Sequence, residues 1–154
     1  MSISIHHITS DNIDTFEELL SVFGEAFNDK DTYNNHRPSN HYLKKLLNRD
    51  TFIALAAKYN EKVIGGLAAY ELTKFEQERS EIYIYDLAVL TEYRRQGVAT
   101  QLIKALQTIG AERGAYVIFV QADTAVEDEP AIALYSKLGI REDVLHFDIA
   151  INNK

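Results

Sequence analysis

The stretch from Arg94 to Ala99 has the composition of a ligand-binding turn. It follows an apolar run and a short polar turn, and it precedes apolar residues at helical spacing. Gly97 and Ala99 have small or absent side chains, so a ligand can approach the main chain closely. The first N–H groups of a helix lack internal acceptors and point outward, where the helix dipole favours negative charge. The sequence therefore predicts an anion site suited to a pyrophosphate, with an ordinary surface helix start as the alternative.

A carboxylate lies within the apolar run that precedes this turn. Strict alternation along the predicted strand places Asp86 on the same face as Ile82 and Ile84, which is the buried face. Burying an ionised carboxylate costs free energy unless the group is hydrogen-bonded or has another compensating interaction. Two interpretations therefore stay open for Asp86: a functional carboxylate, or a structural aspartate held by hydrogen bonds.

The segment 122–130 is an acidic loop before a predicted helix. Its carboxylates could bind a polycation, although a solvated loop explains the cluster almost as well. The five histidines show no metal-ligand spacing and no HExxH pattern, so no metal site is predicted. His146, in the last predicted strand, is a candidate for lining a substrate site, with a packed or surface histidine as the alternative.

Composition narrows the class of protein. The chain has 154 residues, 46% of them hydrophobic, which predicts a single domain over 1–154. The absence of cysteine excludes disulfides, thiolate zinc sites and a cysteine nucleophile. A net charge of −7 disfavours nucleic acid and favours cationic partners such as amines. Neither a signal peptide nor a run of 18 apolar residues is present, so we expect a cytoplasmic protein with no membrane span.

Hydrophobic periodicity predicts an alternation of strands and helices. Residue patterns of period two or continuous apolar runs predict six strands, at 2–8, 51–58, 63–72, 82–89, 115–121 and 144–151. Helical spacing predicts helices over 16–27, 42–47, 102–109 and 131–138, with a polar loop over 28–40. The order β-α-α-β-β-β-α-β-α-β predicts one mixed sheet covered by helices.

Two motifs in this order resemble a known superfamily. The pattern Arg94-x-x-Gly97-x-Ala99, after a strand that ends at 87–89, is similar to the acyl-CoA-binding motif of the GNAT N-acetyltransferases. The segment 131–139, Ala-x-x-Leu-Tyr-x-Lys-Leu-Gly, is similar to the later helix of that superfamily. The resemblance implies the α/β GNAT fold: a single mixed, mostly antiparallel sheet, flanked by helices and splayed at its central strand.

Further segments resemble the aminoglycoside 3-N-acetyltransferases of the gentamicin-modifying group; these are 51–57, 74–77, 79–89 and 145–148. The closer resemblance implies transfer of an acetyl group from acetyl-CoA directly to the 3-amino group of an aminoglycoside, and it suggests a homodimer. An acetyltransferase for a polyamine or another small amine is the nearest alternative. A GNAT module that holds CoA without turnover is an alternative of another class.

The resemblance also implies roles for individual residues. A backbone N–H within 87–89 would stabilise the thioester oxygen, and Tyr135 would protonate the departing thiolate, with an ordinary buried aromatic residue as the alternative for Tyr135. A carboxylate or an ordered water must accept the proton of the amine, and the position of Asp86 in its strand makes it the first candidate. Glu81 is the second candidate for the base, although an exposed carboxylate at a strand end is the more ordinary interpretation. The residues expected to bind the cofactor are Leu87, Ala88, Val89, Arg94, Arg95, Gln96, Gly97, Val98, Ala99 and Thr100. Those expected to bind the substrate are Asp123, Glu127, Asp128 and His146.

Overall fold

The structure is a computed structural model that describes residues 2–152. The chain divides into two compact units, the first ending at Gln121 and the second beginning at Ala122. The single domain expected from the sequence over 1–154 stays a prediction. No helix within 2–152 is both long and apolar enough to span a membrane.

The first unit contains five strands and three helices. In chain order they are β1 (Ser4–His7), α1 (Ile13–Ala26), α2 (Asn40–Leu47), β2 (Phe52–Tyr59), β3 (Lys62–Thr73), β4 (Ser80–Val89), α3 (Val98–Arg113) and β5 (Ala115–Val120). The predicted loop over 28–40 contains one turn of π-helix, Asp31–Asn35. Except for the last strand, the predicted order of strands and helices is confirmed.

The five strands form one mixed sheet in the order β1-β2-β3-β4-β5. Every neighbouring pair is antiparallel except β4 and β5, which are parallel. The pairing of β4 with β5 ends where Ile84 meets Val120. Beyond that point, no strand within 2–152 pairs with this edge of β4, so the main chain of residues 85–89 is open on one side. The predicted fold class, including the splay at the central strand, is confirmed.

Helices cover both faces of the sheet. The apolar sides of α1 and α2 pack on one face, together with Phe52, Ala54 and Ala68. Helix α3 lies on the other face, where a Cβ added to Gly110 would lie 3.2 Å from the side chain of Ile82. Each face therefore has its own core, and the direction of a side chain on β4 decides which helices it meets.

The second unit contains α4 (Glu129–Leu138), with Pro130 in its first turn as predicted. The predicted strand at 144–151 is wrong, because residues 140–152 form no strand. The alternating apolar side chains there are exposed: Val144, Leu145, Phe147, Ile149 and Ile151. Alternation indicates a segment that suits a sheet, but a strand also needs a partner edge with which to form hydrogen bonds.

Strand β5 is less buried than its apolar sequence predicts. Tyr116 and Val117 are 48% and 40% exposed, because β5 is the last strand of the described sheet and has a partner on one side only. The apolar run at 115–121 does form a strand, as predicted, but its side chains are not the buried ones that such a run indicates.

Candidate functional site

A bulge in β4 interrupts the alternation of its side chains at Tyr85. Ala69 of β3 lies opposite Ile84, and Ala68 lies opposite Asp86, so Tyr85 has no counterpart on β3. One extra residue in a strand bends it locally and shifts every following side chain to the other face. The bulge therefore determines where the carboxylate of Asp86 lies.

Asp86 lies on the face of the sheet that α1 covers. Its cross-strand neighbour Ala68 belongs to the core beneath α1, whereas Ile82 packs against α3. The prediction that Asp86 shares a face with Ile82 and Ile84 is wrong, because strict alternation does not survive the bulge. Asp86 is only partly buried, so its carboxylate can reach a bound molecule as well as the protein interior.

The carboxylate of Asp86 accepts a hydrogen bond from the hydroxyl of Tyr33, with 2.8 Å between the two oxygens. Burial raises the pKa of Asp86, and the hydrogen bond from Tyr33 opposes that rise without cancelling it. Burial and the bond to Asp86 also raise the pKa of the Tyr33 phenol, which therefore stays protonated and donates. A carboxylate with a raised pKa is a stronger proton acceptor than one in water.

Tyr33 belongs to the π-helical turn Asp31–Asn35, which otherwise consists of polar residues. Its ring packs at 5.7 Å from the rings of both Phe23 and Phe27, near the end of α1. The sequence analysis did not identify this residue. A single aromatic side chain in a polar loop was the available signal, because such a ring buries apolar surface that solvent would otherwise contact.

The predicted anion site lies where β4 passes into α3. The Nε of Arg94 donates to the carbonyl oxygen of Val89 at 2.9 Å, which ties the turn to the end of β4. Arg95 and Gly97 both have left-handed backbone conformations, with φ of 61° and 80°. Helix α3 then begins at Val98, and its first N–H groups have no acceptors within the helix.

This turn has the open backbone and the positive charge expected of an anion site. A Cβ added to Gly97 would meet no heavy atom within 4 Å, so the helix start faces open space. The exposed guanidinium of Arg95 adds positive charge beside it. The structure thus brings residues 87–89 and 94–100 together, as the sequence predicts, while their contacts with a cofactor stay predictions.

Glu81, the second candidate for the base, lies at the opposite end of β4 from the bulge. Its carboxylate accepts hydrogen bonds from the hydroxyl of Tyr116 at 2.6 Å and from Lys74 at 3.2 Å. Tyr116, and then Lys74, hold the pKa of Glu81 below its usual range. The structure does not bring Glu81 together with Asp86. A catalytic role for Glu81 stays a prediction, and its partners favour a structural ion pair.

Tyr135 lies on α4 in the second unit and is partly buried. Burial raises the pKa of its phenol, and the carboxylate of Asp128 raises it further. A phenol with a raised pKa stays protonated at neutral pH, as a proton donor must. Its role as the acid stays a prediction.

The predicted substrate-binding residues also belong to the second unit. Asp128 accepts a hydrogen bond from the backbone N–H of Asp123 at 2.7 Å. Glu127, which directly precedes Asp128, is exposed. His146 contacts the carboxylate of Asp148 at 2.9 Å. The local bond of Asp128 gives it a structural role, and the binding roles of all four residues stay predictions.

A second feature that the sequence analysis missed is an open groove along β3 and β4 with a volume of about 670 Å³. Three tyrosines line it, Tyr70, Tyr83 and Tyr85. The sequence analysis interpreted the last two as part of a buried strand. Their spacing of two residues was the available signal, since it places both rings on one face.

Comparison with known proteins decides the family. The family model of the GNAT acetyltransferases matches residues 13–140, which is most of the chain. The chain belongs to the GNAT acetyltransferase family. Enzymes of this family use acetyl-CoA as the acyl donor. The resemblance found in the sequence is therefore confirmed.

Solved structures extend the similarity of this GNAT protein to aminoglycoside acetyltransferases. One, from an uncultured soil metagenomic sample, is 62% identical, with a TM-score of 0.97 over 99% of this chain and 100% of its own. A second, from an uncultured soil metagenomic sample and in complex with sisomicin, is 32% identical, with a TM-score of 0.89 over 97% of each chain.

The similarity to curated relatives covers less of the chain. N-alpha-acetyltransferase 30 of Schizosaccharomyces pombe is 42% identical over 57 residues. That match spans 37% of this GNAT chain and 37% of the yeast protein.

Proposed function

We propose that this GNAT enzyme transfers the acetyl group of acetyl-CoA directly to the 3-amino group of an aminoglycoside of the gentamicin type. The observation that carries the proposal is the similarity, over 99% of the chain, to an aminoglycoside acetyltransferase. The sisomicin complex of a second relative supports the same substrate class. The position of the acetylated amine rests on the sequence resemblance alone.

Asp86 is the proposed general base. An aminoglycoside amine is mostly protonated at neutral pH and must lose a proton before it can attack the thioester carbonyl. Asp86 is partly buried, its pKa is raised, and Tyr33 holds one of its oxygens. The other oxygen is available to take the proton of the amine, directly or through one water molecule.

The thioester needs two further groups. As the amine nitrogen bonds to the carbonyl carbon, negative charge develops on the carbonyl oxygen, and a backbone N–H within 87–89 is the proposed donor. The open edge of β4 beyond Ile84 supports this role, because no strand within 2–152 uses that edge. When the carbon–sulfur bond breaks, the thiolate takes a proton from Tyr135. The second proton that the nitrogen loses restores the phenol, and Asp86 releases its proton to solvent. The products are an acetamide and free CoA.

The proposal assigns a role to the acidic surface. Asp123, Glu127 and Asp128 would attract the polycationic substrate, with His146 beside it. Acetylation would remove one positive charge from the drug and so weaken its binding to its target. In the cytoplasm, such an enzyme would confer resistance.

We propose in addition that the enzyme is a homodimer. Supporting this, five large apolar side chains within 144–151 are more than 70% exposed, from Val144 at 72% to Ile151 at 98%. Monomeric proteins rarely expose contiguous apolar surface of this kind. Sedimentation equilibrium is expected to give twice the chain mass of 17.5 kDa, and a double substitution Leu145→Asp, Phe147→Asp is expected to give the monomer. A monomeric wild-type protein would exclude the dimer.

The test of the proposed function is the release of thiol from acetyl-CoA with gentamicin and, in parallel, with spermidine. NMR of the product locates the acetyl group. Acetylation at the 3-amino group of gentamicin is the expected result. Turnover of spermidine alone would replace the drug with a small polyamine, and tight CoA binding without turnover would favour a non-catalytic module.

A further inference from the structure

The three tyrosines of the groove form a rigid aromatic surface, which we call the tyrosine shelf (Tyr70, Tyr83 and Tyr85). The ring of Tyr85 lies 5.8 Å from that of Tyr83 and 6.1 Å from that of Tyr70, and both contacts are T-shaped. Each T-shaped contact covers a face of only one of its two rings, so part of the aromatic surface stays uncovered. Tyr85 and Tyr70 are 62% and 39% exposed, so the shelf faces solvent.

Packing against aromatic side chains of the neighbouring strands fixes the shelf in place. Tyr83 stacks on Phe119 of β5, with 4.7 Å between ring centroids and 2° between planes. Tyr70 packs against Phe52 at 5.3 Å. Tyr70 and Tyr83 lie opposite each other on β3 and β4, and the ring of Tyr85 packs against both, so the three rings lose little further freedom when a molecule binds.

The bulge connects the shelf to the proposed base. Tyr85 is the extra residue of the bulge and directly precedes Asp86. Tyr70 is two residues from Ala68, the cross-strand neighbour of Asp86, and so lies on the same face. A molecule that rests on the shelf therefore has Asp86 at its edge.

The shelf carries little charge of its own. Glu71 also lines the groove, but its carboxylate pairs with Arg113 at 2.9 Å and accepts a hydrogen bond from Ser80 at 2.7 Å. Attraction at the shelf must therefore come from ring faces and hydroxyl groups. A saturated sugar ring offers a broad apolar C–H face that can cover such a surface. A linear polyamine offers separate ammonium groups, which the ring faces also attract but which cover less of them.

We infer that the tyrosine shelf holds one sugar ring of the acceptor and directs an amine on that molecule towards Asp86. The inference rests on the proposed function, because it assigns the shelf to the acceptor of acetyl transfer. It makes the shelf a determinant of specificity for ring-bearing amines over linear ones. The acidic residues of 123–128 attract either kind of amine.

The test compares Tyr85→Ala with Tyr85→Phe in steady-state assays with sisomicin, with spermidine and with varied acetyl-CoA. We expect Tyr85→Ala to raise KM for sisomicin by about tenfold, because a ring–face contact is lost, and Tyr85→Phe to stay within about twofold. KM for acetyl-CoA and KM for spermidine are expected to stay within about twofold of wild type. Phe75→Ala is the matched control, since Phe75 is 98% exposed and does not line the groove.

Calorimetric binding of sisomicin separates the inference from the proposed function. If the enzyme binds sisomicin without acetylating it, and if Tyr85→Ala weakens that binding, the proposed function is refuted and the shelf is supported. Unchanged KM and unchanged affinity in Tyr85→Ala would overturn the shelf while the proposed function stood. No binding of sisomicin at all would overturn both. Thermal unfolding of each variant identifies any loss that comes from misfolding, and Tyr70→Ala then repeats the test.

Discussion

The proposed base, Asp86, accepts a hydrogen bond from Tyr33, and the proposed mechanism in the first unit depends on this pair. The sequence identified Asp86, because a carboxylate within an apolar strand needs a reason to be there. It placed that carboxylate on the wrong face, and it did not identify Tyr33, which is 53 residues away in the chain. Periodicity could not have prevented either error. A bulge cannot be recognised from the composition of its strand, and a residue in a loop belongs to no periodic pattern.

Removing the hydroxyl of Tyr33 tests how it tunes the base. The hydrogen bond from Tyr33 lowers the pKa of Asp86 against the effect of burial, so Tyr33→Phe is expected to raise that pKa further. Asp86 must be ionised to accept a proton, and the acid limb of kcat/KM is therefore expected to move to higher pH. The measurement is a pH profile with sisomicin.

The matched control is Tyr59→Phe, which removes a hydroxyl near the turn between β2 and β3. The acid limb of Tyr59→Phe is expected to coincide with that of the wild type. The hydrogen bond from Tyr33 to Asp86 is intact in this variant, and the substrate ionises in the same way in both assays. An acid limb of Tyr33→Phe that coincides with that of the wild type would show that the bond does not act on the base, and a shift to lower pH would contradict the expected sign.

Tyr135 allows a separate test of the proposed acid. Tyr135→Phe is expected to lower kcat by roughly 10²-fold or more, with a much smaller change in the dissociation constant of CoA, because the phenol acts on the leaving thiolate. Ser136→Ala, on an exposed position of the same helix, is the control. Turnover equal to wild type would remove Tyr135 from the mechanism.

At the scale of elements, periodicity located the strands and helices of the first unit and the hairpin of β2 and β3. It failed where pairing decides the outcome. Residues 144–151 alternate as well as any strand in the chain, yet they have no partner within the described structure. The bulge at Tyr85 likewise depends on the register against β3, which a single sequence does not contain.

Gly24 tests the coupling between α1 and the turn that carries Tyr33. A Cβ at Gly24 would overlap the buried side-chain amide of Asn34, so the added methyl group must displace that amide, which neighbours Tyr33 in the turn. Gly24→Ala is expected to gain about 1 kcal/mol from helix propensity and to lose about 1 to 3 kcal/mol from overpacking. We therefore expect the free energy of unfolding to stay level or to fall by up to about 2 kcal/mol. We also expect kcat/KM to fall, because a shift at Asn34 moves its neighbour Tyr33 away from Asp86.

Urea unfolding and kinetics on the same preparation measure both quantities. Ser21→Gly is not a suitable control, because Ser21 accepts a hydrogen bond from Arg37 at 2.6 Å. Glu25→Ala, one residue along α1 and exposed, is suitable. Full activity in Gly24→Ala would mean that the turn does not need its present position.

At the scale of the whole molecule, composition predicted the sign of the partner's charge. The net charge of −7 attracts polycations over distances that salt shortens, from about 10 Å at about 0.1 M to about 3 Å at about 1 M. KM for gentamicin is therefore expected to rise with sodium chloride concentration, whereas KM for acetyl-CoA, a polyanion, is expected to stay level or fall. A KM for gentamicin that does not depend on salt would contradict a role for the acidic surface.

The family could be predicted from the sequence because two short motifs identify the turn expected to bind the cofactor and helix α4. The shape of the proposed acceptor site could not be predicted, because it depends on side chains from three separate segments. These are the turn at Asp31–Asn35, strand β3 and the bulge of β4. Such a site is assembled only when register and packing are known.

The most direct test of the account is the paired measurement of activity and stability in Asp86→Asn. The amide oxygen can still accept the hydrogen bond from Tyr33, so the local structure is expected to persist. The amide cannot accept a proton, so kcat is expected to fall by about 100-fold or more.

Stability is expected to change in the opposite direction. Folding raises the pKa of Asp86, so the folded protein is more stable when Asp86 is protonated than when it is ionised. This contribution to the free energy of unfolding is lost as the pH rises through the pKa that Asp86 has in the folded protein. Above that pH, Asp86→Asn is therefore expected to unfold with a free energy equal to or above that of wild type. Low kcat with undiminished stability is the predicted result. An Asp86→Asn enzyme that keeps wild-type turnover, or that loses activity only because it unfolds, would contradict the central claim.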